Sequence, residues 1–338
     1  MKRKILSIAV AALCAASVSF LACKKQNSAD KKAKVFVTKQ ITPESLIAIY
    51  QALGTPATGN VAVKISTGEA GNNNYLKPEL IGKLVKQVNG TIVECNTAYN
   101  GSRMDTANHR KTIANHGFDK IAKVDIMDEE GEIKIPVRDK TYLKYDIVGG
   151  HIQNYDSMIN LAHFKGHAMG GFGGVLKNSS IGVASSNGKS YIHSAGQAET
   201  MEEFHKILES NGQDWVAAAK DYDTFHKCMA TTAAAVHDYF KGKKGIVYIN
   251  VMNNMSVDCD CNGNPAAPKL KDYGILASLD PVALDQACVD IVFNMQPSEG
   301  NDNKPLIERI NSRHGIHPIE HAAAIELGSR SYELVSID

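Results

Sequence analysis

Hydrophobic and polar positions alternate along this chain in two rhythms that take turns. Compact β-branched or apolar runs at residues 61–66, 91–96, 122–127, 132–137, 142–148, 157–161, 246–252, 274–277 and 332–337 predict strands. The runs at 122–127 and 132–137 flank the turn Glu129-Glu130-Gly131. Between these runs, apolar residues recur at helical spacing over 43–53, 78–88, 106–116, 201–211, 215–241, 281–294, 305–310 and 318–327. Pro78 stands where its missing N–H does no harm, Gly117 stops the helix before it, and Asp280 is a natural N-cap for the helix starting at Pro281. A long Gly-rich stretch, 163–195, has neither rhythm and reads as loop. Strands alternating with helices predict an α/β fold: one large domain with a mainly parallel sheet flanked by helices.

The amino terminus departs from this pattern. Residues 5–22 are apolar apart from small serines and follow Lys2, Arg3 and Lys4. Eighteen residues approach the length of a membrane span, but Ala, Ser and Cys dominate the run, and it ends in the small-residue pattern of a cleavage site. Phe20-Leu21-Ala22-Cys23 resembles the lipobox of bacterial lipoproteins, with Phe20 in place of the usual Leu. The expectation is a signal peptide over 1–22 and an acylated Cys23, palmitate included. The lipid is the expected partner, holding an exported protein to the cell membrane or outer membrane, because several acyl chains anchor stably. Residues 23–35 read as lipidated Cys and flexible tether, the segment 24–34 being polar and basic, and residues 36–338 as the folded domain.

Charge narrows the partners. The net charge is +1, and loss of Lys2, Arg3 and Lys4 with the signal leaves −2. No basic face emerges, so nucleic acid is not an expected partner; protein partners stay open. Besides Cys14 and Cys23 there are five cysteines, Cys95, Cys228, Cys259, Cys261 and Cys288. An odd number is not a disulfide framework, and Cys95 and Cys288 lie in apolar runs as small core residues.

Three loop-rich segments follow strands, where parallel sheets bind ligands. The first carries Glu69 and the second Arg103. The third runs from His163 and Lys165 through His167, Gly171, Gly173 and Gly174 to Lys177 and Asn178. Glycines there would let backbone N–H groups point at an anion, with Lys165 and Lys177 adding charge; the plain alternative is a Gly-rich turn with solvated lysines. His163 and His167 stand four apart, although without the H-E-x-x-H pattern. Asp258-Cys259-Asp260-Cys261 offers two thiols for a soft metal, to be completed by His or Asp, with Cys228 as a further thiol; the alternative is a thiol pair with no ion.

These segments together resemble the uncharacterised iron-sulphur-centre proteins, the domain of unknown function 362. The resemblance runs from about Val61 to the carboxyl end: Val61-Ala62-Val63-Lys64 with Gly68-Glu69; Asn96-Thr97, Tyr99 and Arg103 with His109 and His116-Gly117-Phe118; His163-Phe164-Lys165-Gly166-His167 through Lys177-Asn178; then Cys259-Asp260-Cys261 with Asp280-Pro281 and Asp285. Typical members carry two ferredoxin-like four-iron motifs after the Gly-rich segment. Residues 194–215 contain no cysteine here, so 4Fe–4S clusters and the electron-transfer role they imply are not expected.

What remains is an expected metal or anionic small-ligand site at the strand ends. His163, His167, Cys259 and Cys261 would hold a mononuclear Zn or Fe, and Glu69, Arg103, Lys165, Gly171, Gly173, Gly174, Lys177 and Asn178 would bind the ligand. Whether the chain is an enzyme, and with which catalytic residue, stays open. The alternatives are a metabolite-binding lipoprotein without catalysis and a thiol redox protein using Cys259 and Cys261.

Overall fold

The computed structural model describes residues 32–338; the segment read as a signal peptide, Cys23 and most of the segment read as a tether lie outside the described residues. Eight strands form the central sheet: β1 (Ala33–Thr38), β2 (Val61–Lys64), β3 (Thr91–Glu94), β4 (Val124–Ile126), β7 (Ser157–His163), β10 (Ile246–Met252), β11 (Gly274–Ser278) and β12 (Tyr332–Ser336). Their order is β12-β1-β11-β10-β7-β2-β3-β4. Only β11 runs against its neighbours, so the expected mainly parallel sheet is present. Two short hairpins stand apart: β5 (Glu132–Pro136) with β6 (Tyr145–Gly149), and β8 (Lys165–His167) with β9 (Gly171–Gly173).

Burial of both faces explains the apolar runs. In β10, Ile-Val-Tyr-Ile-Asn-Val-Met is buried throughout. Val247, Ile249 and Val251 face one core, while Ile246, Tyr248 and Met252 face the other. The first core is closed by α1 (Pro43–Ala52), α2 (Pro78–Gln87) and α3 (Thr106–Asn115), through Leu46, Ile49, Ile81, Leu84 and Ile113. On the opposite face lie α4 (Val175–Ser179), α5 (Ser186–His193), α6 (Met201–Ser210), α7 (Trp215–Ala218) and α8 (Tyr222–Lys241), then α9 (Pro281–Asn294), α10 (Lys304–Ser312) and α11 (His317–Ala324). Among the described residues, no helix is long and apolar enough to cross a membrane.

Several expectations are corrected. The first strand starts at Ala33, inside the segment read as tether, because β1 pairs with both β11 and β12 and Val35 is fully buried. The two strands expected around Glu129-Glu130-Gly131 are present, and they go to different sheets: β4 pairs with β3, and β5 with β6. The helix expected over 215–241 is broken. Lys220 has φ 76°, and Asp221 caps a new helix by accepting the Thr224 N–H at 2.6 Å. The Gly-rich stretch is not a loop but holds β8, β9, α4 and α5.

One glycine in that stretch shows why it is there. Asp285 on α9 accepts the first N–H groups of α4, from Val175 and Leu176, each at 3.0 Å, and the Asn250 amide at 2.7 Å. A Cβ on Gly174 would overlap the same carboxylate. Gly174→Ala is therefore expected to destabilise the fold by about 1–3 kcal/mol through overpacking. Denaturant midpoints check this; an unchanged midpoint would mean the Asp285 contact is soft.

The strand order places the site. From β2 the chain moves outward through β3 to β4, then returns to the other side of β2 as β7 and continues to β10. The reversal lies between β2 and β7, and a crevice opens beyond their carboxyl ends, as such reversals dictate.

Candidate functional site

The crevice is a cavity of about 470 Å³, walled by Lys64 at the end of β2, Glu94 at the end of β3, His163 at the end of β7, the β8–β9–α4 stretch, α5 and the Cys259-Asp260-Cys261 loop. Its floor is a buried ion cluster. Lys64 Nζ lies 2.8 Å from Glu94, and Arg103 lies 3.2 Å from Glu94 and 3.5 Å from Glu69. The Thr67 N–H donates to Glu94 at 2.7 Å. Burial alone would raise the Glu94 pKa; the two cations overcome it and hold Glu94 at about 2.

Asp260 fixes the thiol loop. Its carboxylate meets His163 Nδ1 and Lys165 Nζ, each at 2.8 Å, with all three side chains buried. Burial disfavours the ionised Asp260, but His163 and Lys165 hold its pKa far below the usual carboxylate range. Gly166 admits this loop, because a Cβ there would run into the Val257 carbonyl. With Asp260 turned inward, Cys259 and Cys261 both face the cavity.

The thiols share their surroundings with His167, the donor atoms of all three lying within 4.8 Å of one another, close enough to share one ion. Cys259 Sγ accepts the Cys261 N–H at 3.1 Å. Its pKa is pushed well down, first by the hydrogen bond from the Cys261 thiol, then, against burial, by Lys177 and His167. The Cys261 thiol is pushed up by the same hydrogen bond. Of the two thiols, Cys259 is therefore the one that ionises more readily. His167 Nδ1 accepts the Gly170 N–H at 2.8 Å, so in the neutral ring the proton sits on Nε2, and the ring lies beside the Cys259 thiol.

The residues expected from the sequence divide. Lys165, His167, Gly173, Gly174, Lys177, Asn178, Arg103, Cys259 and Cys261 line the cavity. His163 also borders it, but its Nδ1 is turned to Asp260 and its Nε2 to the Asn253 carbonyl at 2.6 Å, leaving no nitrogen for an ion. Glu69 lies behind the wall, accepting from Ser102 and, at 3.0 Å, from the Tyr99 hydroxyl. Gly171 faces away, packed on Gly315 and Ile310. The anion cradle expected from the Gly-rich backbone is filled by the protein's own Asp285. Cys228 is buried in a separate apolar cluster, and burial pushes its pKa up to about 12. Cys288 is a core residue as expected, whereas Cys95 also borders the cavity.

Lys189, His193 and Trp215 join the wall unannounced by the sequence. Lys177 has no ion-pair partner among the described residues. Asp125, Glu129 and His151 form a second cluster at the β4 edge of the sheet, where Asp125 is already engaged by His151 at 2.8 Å and Tyr155 at 2.6 Å.

Residues 61–290 match the family described as Domain of unknown function (DUF362), a range that includes every residue lining the cavity. The chain belongs to DUF362. Among solved structures, this DUF362 protein is similar to a crystal structure from Thermotoga maritima, at 11% identity and TM-score 0.39, covering 83% of this chain and 58% of that one. It is also similar to the lactate racemase apoprotein from Thermoanaerobacterium thermosaccharolyticum, at 13% identity and TM-score 0.37, covering 89% of this chain and 82% of that one. The chain thus spans 58% of the length of the Thermotoga protein. No curated protein matches the sequence of this DUF362 member.

Proposed function

We propose that this is an exported, lipid-anchored protein whose strand-end cavity binds a small organic anion, with the Cys259 thiolate as its reactive group. The observation that carries this reading is the Gly170 N–H on His167 Nδ1, which leaves Nε2–H to stabilise the thiolate. Lys177, without a carboxylate of its own, supplies charge for the anion. Met169, Ile181 and Trp215 give the cavity an apolar side for the rest of the ligand.

A mononuclear zinc or iron would use His167, Cys259 and Cys261. The ring offers them a proton where an ion needs a lone pair, so the residues as arranged do not fit it. The cysteine-free stretch 194–215 gives no ligands for a 4Fe–4S cluster, and no electron-transfer role is proposed.

Alkylation tests the anion reading. The Cys259 thiolate displaces iodide, forming a C–S bond. Iodoacetate should be favoured over neutral iodoacetamide about tenfold more than for a free thiol, the equivalent of roughly 1.4 kcal/mol of charge attraction. Mass mapping should place the label on Cys259, and Cys259→Ser should remove it. Equal preference for both reagents would defeat the reading; near-stoichiometric zinc or iron with both thiols protected would replace it by the metal site. For the anchor, Cys23→Ser is expected to abolish palmitate labelling and release the protein from membranes; unchanged labelling would refute Cys23 as the acylated residue.

A further inference from the structure

Helix α5 carries two cavity residues one turn apart, Lys189 and His193, and the site described above uses neither. Positions four apart lie on one helix face, so both side chains reach the same wall. Lys189 is 6% exposed. Its Nζ donates to the Ala184 carbonyl, just before the Ser185 cap of α5, and no carboxylate lies within ion-pair distance among the described residues. Burying an amine away from water disfavours its charged form. The positive amino end of α5 and the Lys64 ammonium press the same way, while the Asp128 and Glu94 carboxylates press against it. Burial, with Lys64 behind it, outweighs the two carboxylates and pushes the Lys189 pKa down. His193 is 7% exposed, stacked on Phe225 with ring centroids 4.8 Å apart, and its Nδ1 has no hydrogen-bond partner.

We propose that Lys189 is an imine-forming amine, and that the anion bound in this cavity carries an aldehyde or ketone carbonyl. The inference rests on the anion reading of the cavity and adds the substrate class, a small oxo acid. Lys189 Nζ adds to the carbonyl carbon, forming a C–N bond. The neutral amine has two N–H protons, and both pass to the carbonyl oxygen, one as the carbinolamine hydroxyl forms and one as it departs. That oxygen leaves as water, so amine plus carbonyl gives imine plus water with no oxidation or reduction. The apolar side around Met169 and Trp215 keeps water scarce, which protects the imine from hydrolysis. A desolvated lysine beside a second cation is the usual arrangement for such chemistry.

Reductive trapping of the full chain tests this directly. Pyruvate with cyanoborohydride should leave one adduct, of the mass of the acid less one oxygen atom, mapped to Lys189. Acetone in place of pyruvate should give far less, and Lys189→Arg should lose the adduct. In parallel, pyruvate without the reductant should slow iodoacetate labelling of Cys259. Slowed labelling with no adduct on Lys189, or with adducts spread over other lysines, would overturn the imine inference while leaving the anion site standing. No slowing and no adduct would overturn the imine inference as well as the choice of an oxo acid. Adduct mapping on the native chain separates these outcomes even if the arginine variant folds poorly.

Discussion

Glu94→Gln is expected to lower stability by about 3–5 kcal/mol, the usual penalty for removing one partner of a buried ion pair. The size follows from what is left behind. Lys64 and Arg103 are both buried, and Lys64 Nζ has Glu94 as its carboxylate. Replacing the ionised group with an amide of nearly the same shape removes charge and little volume, so packing is not the cause. The same carboxylate sets an acid limit on the fold. Its folded pKa of about 2 lies below the ordinary value of 4.5. A depressed carboxylate contributes stability that is fully present above about pH 4.5 and is lost as pH falls toward 2. The contribution is on the order of 3 kcal/mol. Guanidinium midpoints at pH 7 and pH 3 should therefore differ in the native chain, and the difference should shrink in Glu94→Gln. A variant within 1 kcal/mol of the native chain at pH 7, by the scale of an exposed pair, would mean that water reaches the cluster.

Asp260→Asn should be comparably severe, by about 3–5 kcal/mol, and its effect should reach the thiols. The carboxylate is the shared acceptor of His163 and Lys165, and it lies between the two cysteines in sequence. An amide can accept from one of these donors but carries no charge for Lys165. The loop then loses the latch that turns Cys259 and Cys261 to the cavity. Iodoacetate should label Cys259 at least about tenfold more slowly, if the lost placement is worth 1.4 kcal/mol or more. Stopped-flow labelling together with denaturation measures both quantities. Lost stability with an unchanged labelling rate would show that the thiols are positioned by something other than Asp260.

The sheet was readable because its strands are buried on both faces. Ile246–Met252 and Pro281–Asn294 have the bounds that periodicity and the Asp280 cap predict. The switch point was not readable, since nothing local says that β7 lies beside β2. The glycines misled for the same reason. Gly174 and Gly166 are required by Asp285 and Val257, each about a hundred residues away in sequence, and not by a ligand. His163 and His167 look like a pair in the sequence, yet each ends a different strand, so one latches Asp260 and the other faces Cys259. Cys259, Cys261, Lys177 and Arg103 were legible as charged or soft groups in loops after strands. Lys189 and His193 were hidden because Ser-Asn-Gly-Lys-Ser-Tyr-Ile-His is a poor helix by propensity and is held in place by its Ser185 cap and its packing.

The parallel strands also give the domain a top and a bottom. β1 runs in the direction of β10, so the chain enters the sheet at Ala33 on the edge where the parallel strands begin, and the cavity opens where they end. Between Cys23 and Ala33 the backbone can reach at most roughly 35 Å. If Cys23 carries the lipid, as proposed, the anchored segment joins the domain at the pole opposite the mouth of the cavity. Ligand would then be gathered from the aqueous side and not from the bilayer, and a partner that delivers or removes it would meet the pole farthest from the lipid.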